Sequence, residues 1–389
     1  MESIGEATGR SGAAVYQYFE GKSEIFGIFL REVGAELREV SEQFPVITED
    51  EAGQRALQAW IASLVNVLDR HQGTFLLWAQ VQFNEPSLTE IGRWNLDQFQ
   101  TNIAERLVRS GAHPPTTPNI VPLGMMSVIQ WSFYISIAGA PEVARNQLEQ
   151  ALAEVLLAYL FAPPETADPA PTAGLAVGEM PRIPLGDAMG LRRPVTARGV
   201  GTVQRILLAA ADQLRRSGYY GTSLTDIATG AGVSHGSVYT YWADREALFT
   251  TLAQDAVAGV EAKVATLDEA IRTQDAMVAW LDGWISMLGV HGAVLYVWTH
   301  EVDLPAIADL TARMNNALDA ASAAFVDLSD SSSIHDPDAM RIVLRAVLTD
   351  VPYVLSTQLG ILPRETALGF VTGLLRGGVR APALDQSDR

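Results

Sequence analysis

The chain has 389 residues, enough for two or three domains of about 150 residues each. Hydrophobic residues make up 48% and charged residues 19%, a composition typical of buried cores rather than of disorder. The chain has no cysteine and a net charge of −18, which excludes disulfides, thiolate chemistry and a surface that is basic throughout.

The part of the chain before residue 162, here the first half, has apolar residues at helical spacing and few alternating β-branched runs. Its predicted helices cover 23–44, 51–71, 87–110, 119–138 and 141–161. The N-terminal residues show no basic segment followed by an apolar one, so we expect no secretory signal and a cytoplasmic location.

One uncharged stretch of the first half raises the question of a membrane span. From Ala112 to Pro141 there is no Asp, Glu, Lys or Arg, and a spanning helix needs ~20 apolar residues. Pro122, Gln130 and several serines interrupt the stretch, and no cluster of basic residues flanks it. We therefore predict a helix buried within the protein or in a subunit interface, and no membrane contact.

A proline-rich segment follows and separates two helical halves. Seven of the 19 prolines lie between residues 162 and 199, which predicts a semi-extended linker. In the second half, which begins at residue 200, the predicted helices cover 203–217, 244–265, 275–290, 305–328, 337–358 and 364–376. Both halves are therefore predicted to be all-α.

The start of the second half predicts two more short helices, joined by a tight turn. Ser223 and Asp226 form a capping-box pattern at the start of the first. Gly232 suits the turn, because glycine takes the left-handed conformation without a Cβ clash. Ser234 is placed to cap the second helix, His235–Tyr241. In such a helix-turn-helix the second helix can enter the major groove of DNA.

The run from Leu224 to Leu248, LTDIATGAGVSHGSVYTYWADREAL, resembles the tetracycline-repressor (TetR) family of transcription regulators. The resemblance implies three short DNA-binding helices and a larger helical domain for ligand binding and dimerisation. It also implies a set of DNA-contacting residues, with phosphate contacts from the last two: Thr225, Ser234, His235, Gly236, Ser237, Tyr239, Thr240, Tyr241 and Arg245. For Trp242, packing of the small domain is the favoured interpretation.

The local charge agrees with DNA binding. Between residues 192 and 249 there are seven arginines against four acidic residues. Arg192, Arg193 and Arg198 precede the first helix of this region. They are either a basic arm on the phosphate backbone or an ordinary solvated linker end.

The two halves repeat one another. The segment VYQYF at 15–19 matches VYTYW at 238–242. Further matches at a nearly constant spacing pair Trp60, Leu68, His71 and Trp78 with Trp280, Leu288, His291 and Trp298. This predicts one architecture used twice. The predicted helix-turn-helix units cover 1–26 and 200–249. The predicted sensor and dimerisation domains cover 27–161 and 250–380, and the linker covers 162–199.

The first helix-turn-helix unit departs from the second. When Met1 is aligned with Leu224, nothing corresponds to helix 203–217. Its candidate DNA contacts are Tyr16, Gln17, Tyr18 and Lys22. Either translation begins upstream of Met1, or this unit has weakened or lost contact with DNA.

Two rival chemistries find little support. The sequence from Gly232 to Gly236 fits G-x-S-x-G, the nucleophile elbow of serine hydrolases, which needs a strand before Ser234. The residues before Ser234 are predicted to be helical, so a hydrolase is a remote possibility and no catalytic residue is assigned. His291, His300, Glu301 and Asp303 lack a convincing metal-ligand spacing, and no metal or cofactor is predicted.

In each sensor domain tryptophan and histidine share one helical face, and a further tryptophan, Trp78 or Trp298, follows on the next segment. The candidate ligand contacts are Trp60, Leu64, His71 and Trp78 in the first half, and Trp280, Trp284, His291 and Trp298 in the second. One imidazole among large apolar groups suits a mostly hydrophobic ligand with one polar handle. Alternatively, each histidine bonds a backbone carbonyl and the tryptophans are plain core.

Together these features predict a ligand-responsive transcription regulator, a repressor released by a hydrophobic small molecule. TetR-like proteins generally dimerise through their last two long helices. Here these are 119–138 with 141–161, and 337–358 with 364–376, so an intrachain pseudo-dimer is expected and a homodimer of whole chains is less favoured. The alternative is a ligand-binding interaction protein that has lost DNA binding.

Overall fold

A computed structural model describes residues 9, 11–81, 86–112, 121–137, 142–162, 185, 188–302, 304–328, 335–354 and 363–378. Across these ranges every regular element is helical, which confirms the predicted all-α class. The helices before the linker are α1 Gly12–Val15, α2 Lys22–Glu42, α3 Glu51–Arg70, α4 Gln72–Val81, α5 Pro86–Arg109, α6 Val121–Ile137 and α7 Arg145–Leu160. Those after it are α8 Val200–Gly221, α9 Leu224–Gly230, α10 His235–Tyr241, α11 Arg245–Val264, α12 Leu267–Ala270, α13 Gln274–Glu301, α14 Ala308–Asp327, α15 Pro337–Leu348, α16 Asp350–Tyr353 and α17 Arg364–Gly378.

The chain divides into two compact units. Unit 1 comprises Met1–Ala112 and Thr117–Leu123, and unit 2 comprises His113–Thr116 and Gly124–Arg389. Helix α7 and most of α6 precede the linker in sequence, yet they belong to the same unit as the helices of the second half.

Unit 1 is built around α2, which packs along α5 and against α3. Helix α3 begins where the Asp50 carboxylate accepts a hydrogen bond from the Gly53 N–H at 2.9 Å, an N-cap. The indole of Trp60 meets Phe44 edge to face, with ring centroids 4.7 Å apart. Its N–H donates to the Val40 carbonyl at 2.9 Å, so the buried indole ties α3 to the end of α2.

In unit 2, α7 packs against α15 and α17. Helix α6 joins the same unit through Trp131, whose ring meets Tyr296 of α13 at 5.5 Å. At Gly124, an added Cβ would lie 2.1 Å from the Phe370 ring of α17, so glycine is needed for this close approach. Residues 124–134 of α6 are buried apart from half-buried Gln130, as the prediction of a buried helix requires.

The segment Gln274–Thr299 of α13 is long and apolar enough to cross a membrane by length and composition alone. Of its 18-residue apolar window, 72% is buried inside the protein, as in the core helix of a globular domain. Length and composition are therefore weak evidence for a membrane span here.

The predicted helix 337–358 is wrong at its centre, because α15 ends at Leu348 and a separate turn, α16, follows. Pro352 has no N–H to donate to the carbonyl four residues earlier, which is that of Leu348. The indole N–H of Trp284 donates to this carbonyl at 2.6 Å. A proline in a helical pattern was the sequence signal for this break.

Helix α13 corrects a second boundary. The pattern predicted a helix over 275–290, with Trp298 on the next segment, but the helix runs unbroken to Glu301. Trp298 therefore lies on the same helix as Trp280, about five turns further along.

Candidate nucleic-acid interface

The helix-turn-helix of the second half is fixed by the side chains that the sequence singled out. The Ser223 hydroxyl accepts from the Asp226 N–H at 3.1 Å and donates to the Asp226 carboxylate at 2.6 Å. Gly232 has φ 62°, the left-handed conformation predicted for the turn. The Ser234 hydroxyl caps α10 by accepting from the Ser237 N–H at 3.2 Å. The residues before Ser234 form helix α9 and the turn after it, rather than the strand that a nucleophile elbow needs.

The exposed side of α10 carries aromatic and polar groups. His235 and Gly236 are exposed, and Tyr239 is 40% exposed. The His235 ring meets Tyr239 edge to face at 4.8 Å, and its Nε2 lies 3.2 Å from the hydroxyl of exposed Thr225 on α9. Both helices thus contribute hydrogen-bonding groups to one surface, of the kind that reads base edges.

Two hydroxyl groups predicted to face the groove are already engaged within α10. The hydroxyls of Ser237 and Ser234 lie 2.8 Å apart, and the Thr240 hydroxyl donates to the Gly236 carbonyl at 3.0 Å. Ser237 and Thr240 are half-buried. Each hydroxyl oxygen retains acceptor capacity for a base donor.

Tyr241 and Trp242 are core residues. Tyr241 is 8% exposed, and the Arg193 guanidinium lies 5.2 Å from the centre of its ring. The ring of Tyr241 is thus covered by the chain itself, and the phosphate contact implied for this residue stays a prediction. Trp242 is fully buried and its N–H donates to the Thr251 hydroxyl at 2.9 Å, as the packing interpretation predicts.

Arg245, the other predicted phosphate contact, is bonded within the fold. Its Nη1 donates to the carbonyls of Tyr219, Tyr220 and Thr222 at 2.9, 3.2 and 3.1 Å. Its guanidinium lies 4.2 Å from the centre of the Tyr219 ring. The last carbonyls of a helix have no intrahelical partners, so Arg245 satisfies the end of α8. Its phosphate contact stays a prediction.

The end of the predicted linker is attached to this domain. The Arg192 N–H donates to the Tyr241 carbonyl at 2.7 Å, and its guanidinium donates to the Tyr239 carbonyl at 3.3 Å. Arg192, Arg193 and Arg198 are exposed. We call residues 188–199 the arm. The arm's contact with α10 favours the basic-arm interpretation over that of a free linker end.

The turn that ends α8 makes a contact that the sequence did not reveal. Gly218 has φ 64°, and the following N–H, that of Tyr219, donates to the Glu301 carboxylate at 2.8 Å. A Cβ at position 218 would lie 2.5 Å from that carboxylate. Glu301 is the last residue of α13, so this contact joins the end of α8 to the far end of α13. Gly218, which stands close to two arginines and two tyrosines in the sequence, was the available signal for this turn.

The first half has a similar turn, followed by a shorter helix. Gly9 has φ 67°, and the Ser11 hydroxyl accepts from the Ala14 N–H at 3.2 Å at the start of the four-residue helix α1. All the candidate contacts of this copy, Tyr16, Gln17, Tyr18 and Lys22, are exposed. Residues 1–8 and 10 of the predicted unit 1–26 lie outside the described part of the chain.

In unit 1 the candidate ligand contacts have partners within the fold. Trp60 and Leu64 are buried, and the Trp60 N–H is bonded to Val40 as described above. Nε2 of half-buried His71 lies 3.1 Å from the Glu36 carboxylate. The side chain of Trp78 lies outside the described part of the structure.

Unit 2 contains a cavity of about 410 Å³ lined by α6, α13, α14, α15 and the α16 turn. Of the four candidate ligand contacts in the second half, Trp298 lines it, and its N–H donates to the Thr311 hydroxyl at 3.1 Å. Trp280 stacks on Trp284 at 5.0 Å and donates to the Lys263 carbonyl, away from this lining. His291 is buried with Nδ1 3.9 Å from the Asp255 carboxylate.

Among the described residues, no group of three or more His, Asp or Glu could hold a metal ion. Asp303 and the side chain of His300 lie outside that part.

Capped helices around a glycine turn, an exposed polar face on the second helix and a basic arm define a helix-turn-helix DNA-binding protein. Residues 206–252 match the family model described as bacterial regulatory proteins, tetR family. The match runs from within α8 to within α11 and indicates the DNA-binding domain of a transcription regulator. No curated protein matches the chain significantly.

Proposed function

We propose that this protein is a ligand-responsive transcriptional repressor made of two TetR-like units in one chain. The observation that carries DNA recognition is the exposed face of α10, held by the Ser234 cap and extended by the arm. The arginines bind phosphates without regard to sequence, and the polar groups of α10 contact base edges.

Equivalent contacts in the two halves support the tandem arrangement. Trp60 and Trp280 each donate to the carbonyl of a residue near the end of an earlier helix, at 2.9 and 3.0 Å. His71 and His291 each lie beside a carboxylate of that same helix. The left-handed Gly9 and Gly232 occupy equivalent positions of the sequence repeat.

The packing of α7 against α15 and α17 supports an intrachain pseudo-dimer. Gln147 of α7 donates to the carboxylate of Asp336, which caps α15. His335 lies 2.6 Å from the Glu154 carboxylate of α7. The last helices of the two halves thus meet as dimerisation helices do in TetR-like proteins.

Release of DNA by the ligand would act through the end of α13. Trp298, Thr299 and Val302 line the cavity, and Glu301 between them holds the turn that ends α8. A ligand that favours another position for this end of α13 shifts the population of DNA-binding domains away from the operator-competent arrangement.

A mobility-shift assay with DNA from upstream of the protein's own gene tests DNA binding. We expect a shift at low salt, with the logarithm of affinity falling linearly against the logarithm of salt concentration. Replacing Arg192, Arg193 and Arg198 with alanine should flatten that slope by about 3. The control is Arg216→Ala, because Arg216 lies on α8 and its guanidinium is 2.8 Å from Asp212. No shift at low salt contradicts the proposal and favours an interaction protein without DNA binding.

A further inference from the structure

The cavity of unit 2 is built by both halves of the sequence. Tyr134 and Ile135 come from α6, before the linker, whereas the rest of the lining comes from α13 onward. The Tyr134 ring meets Trp131 at 5.5 Å, and Trp131 in turn meets Tyr296 of α13 at the same distance. Tyr134 is therefore held in place by packed aromatic groups.

One lining residue, Tyr134, carries a polar group that the described part of the fold leaves unpaired. The residue is 5% exposed, and its hydroxyl is buried with no hydrogen-bond partner among the residues that the structure describes. Burial raises the pKa of Tyr134, so the group is a neutral donor at physiological pH. A buried hydroxyl without a partner carries a desolvation penalty, and a bound acceptor removes that penalty.

The two ionic side chains of the lining already have partners. Arg345 donates to the Asp319 carboxylate at 3.1 Å and to the Asn315 side-chain oxygen at 2.7 Å. The Asp350 carboxylate accepts from the Thr349 hydroxyl at 2.9 Å. An ionised ligand would lose its hydration without gaining an uncommitted counter-charge, so the site favours an uncharged molecule.

Aromatic rings supply much of the remaining wall. Tyr134, Tyr296, Trp298 and Tyr353 all line the cavity, together with Leu, Ile, Val and Met side chains. Aromatic surfaces of this kind favour planar ligands through edge-to-face and offset contacts. The volume of about 410 Å³ falls in the range of small-molecule sites.

We propose that this cavity binds an uncharged, largely aromatic molecule whose carbonyl or ether oxygen accepts a hydrogen bond from Tyr134. Tyr134 of the first half is then a specificity-determining residue of a site built mostly by the second. This inference rests on the proposed ligand response and names the ligand class. It also moves the recognition of the polar handle from the predicted histidines to a tyrosine.

Prodan, a neutral naphthalene ketone whose fluorescence reports a dry environment, is the probe. Dimethylaminonaphthalene has the same ring system and amine without the ketone, and anilinonaphthalene sulfonate supplies a charged comparison. With the full-length protein, Tyr134→Phe should raise the Kd of Prodan about tenfold, the change that follows from loss of one hydrogen bond. The Kd of dimethylaminonaphthalene should stay the same. Tyr159→Phe, a buried tyrosine of α7 outside the lining, is the control and should leave both unchanged.

Ile135→Trp gives an independent variant, because Ile135 is half-buried at the cavity wall and a larger side chain fills the space. Binding of both neutral probes should be lost while the melting temperature is kept. The proposal is overturned if wild-type protein binds no Prodan, if Tyr134→Phe binds it equally well, or if the sulfonate binds more tightly. These measurements contain no DNA. A mobility shift that is unchanged by bound Prodan contradicts the proposed ligand response but does not contradict the binding site.

Discussion

Residues 9 and 11–42 share a local arrangement with residues 232–264: a left-handed glycine, a short helix capped by serine and a longer helix of about 20 residues. We call them the first and the second version. They differ in what ties them to their surroundings. In the second version Arg245 bridges three carbonyls at the end of α8, whereas its counterpart Lys22 is exposed. A short motif thus sets the turn, whereas partners distant in the sequence anchor the second version to the rest of the domain.

The largest difference is expected at this basic position. Arg245→Ala should destabilise the protein by about 3 kcal/mol, because it leaves several helix-end carbonyls without partners. Lys22→Ala should change stability by less than about 0.5 kcal/mol, as exposed substitutions do. Thermal unfolding of the full chain measures both. Arg245→Lys should recover little, since an ammonium lacks the planar fork of a guanidinium. Equal effects at the two positions would remove the difference in anchoring.

DNA discrimination should differ between the two reading helices. Thr240→Ala should cost about 2 kcal/mol in the preference for operator over random DNA, through loss of a base contact. Gln17→Ala should cost less than about 0.5 kcal/mol if the first copy contributes little. Competition mobility shifts give both values. Thr229→Ala is the matched control, since this exposed threonine of α9 has its hydroxyl bonded to the Thr225 carbonyl. A comparable loss at Gln17 would make the two copies equal readers.

The paired histidines extend the comparison to the helices that follow each version. His291→Phe should cost about 1–2 kcal/mol, because it leaves the half-buried carboxylate of Asp255 without its neighbour. His71→Phe should cost less, since Arg70 also lies 3.1 Å from Glu36. Chemical denaturation measures the difference. Full stability together with loss of the Prodan response in His291→Phe would return that histidine to the ligand site.

The smallest effect should come from the caps. Ser234→Ala removes the hydroxyl that accepts from the Ser237 N–H and should cost about 1 kcal/mol. Ser11→Ala removes the equivalent bond from a helix of only four residues and should cost still less. Hydrogen exchange at Ser237 and Ala14 reports each cap locally. A larger loss at Ser11 would reverse the order of the two copies.

Sequence reasoning succeeded where the controlling interaction is local. Gly232 and the caps at Ser223 and Ser234 follow from steric rules and from side chains within one helical turn. It failed where the partner is far away in sequence. The Leu348 carbonyl accepts a hydrogen bond from Trp284, and the turn at Gly218 contacts Glu301, at the far end of a later helix. Periodicity marks a buried face but does not say whether a tryptophan on it borders a cavity or fills core.

The joining of α7 to α15 and α17 within one polypeptide has a consequence for behaviour on dilution. A bundle assembled from two separate chains dissociates as protein concentration falls, and its stability depends on that concentration. Here the partners are tethered, so their association is unimolecular and its equilibrium constant carries no concentration term. A cell with only a few copies of the protein therefore keeps this bundle assembled to the same extent as a cell with thousands.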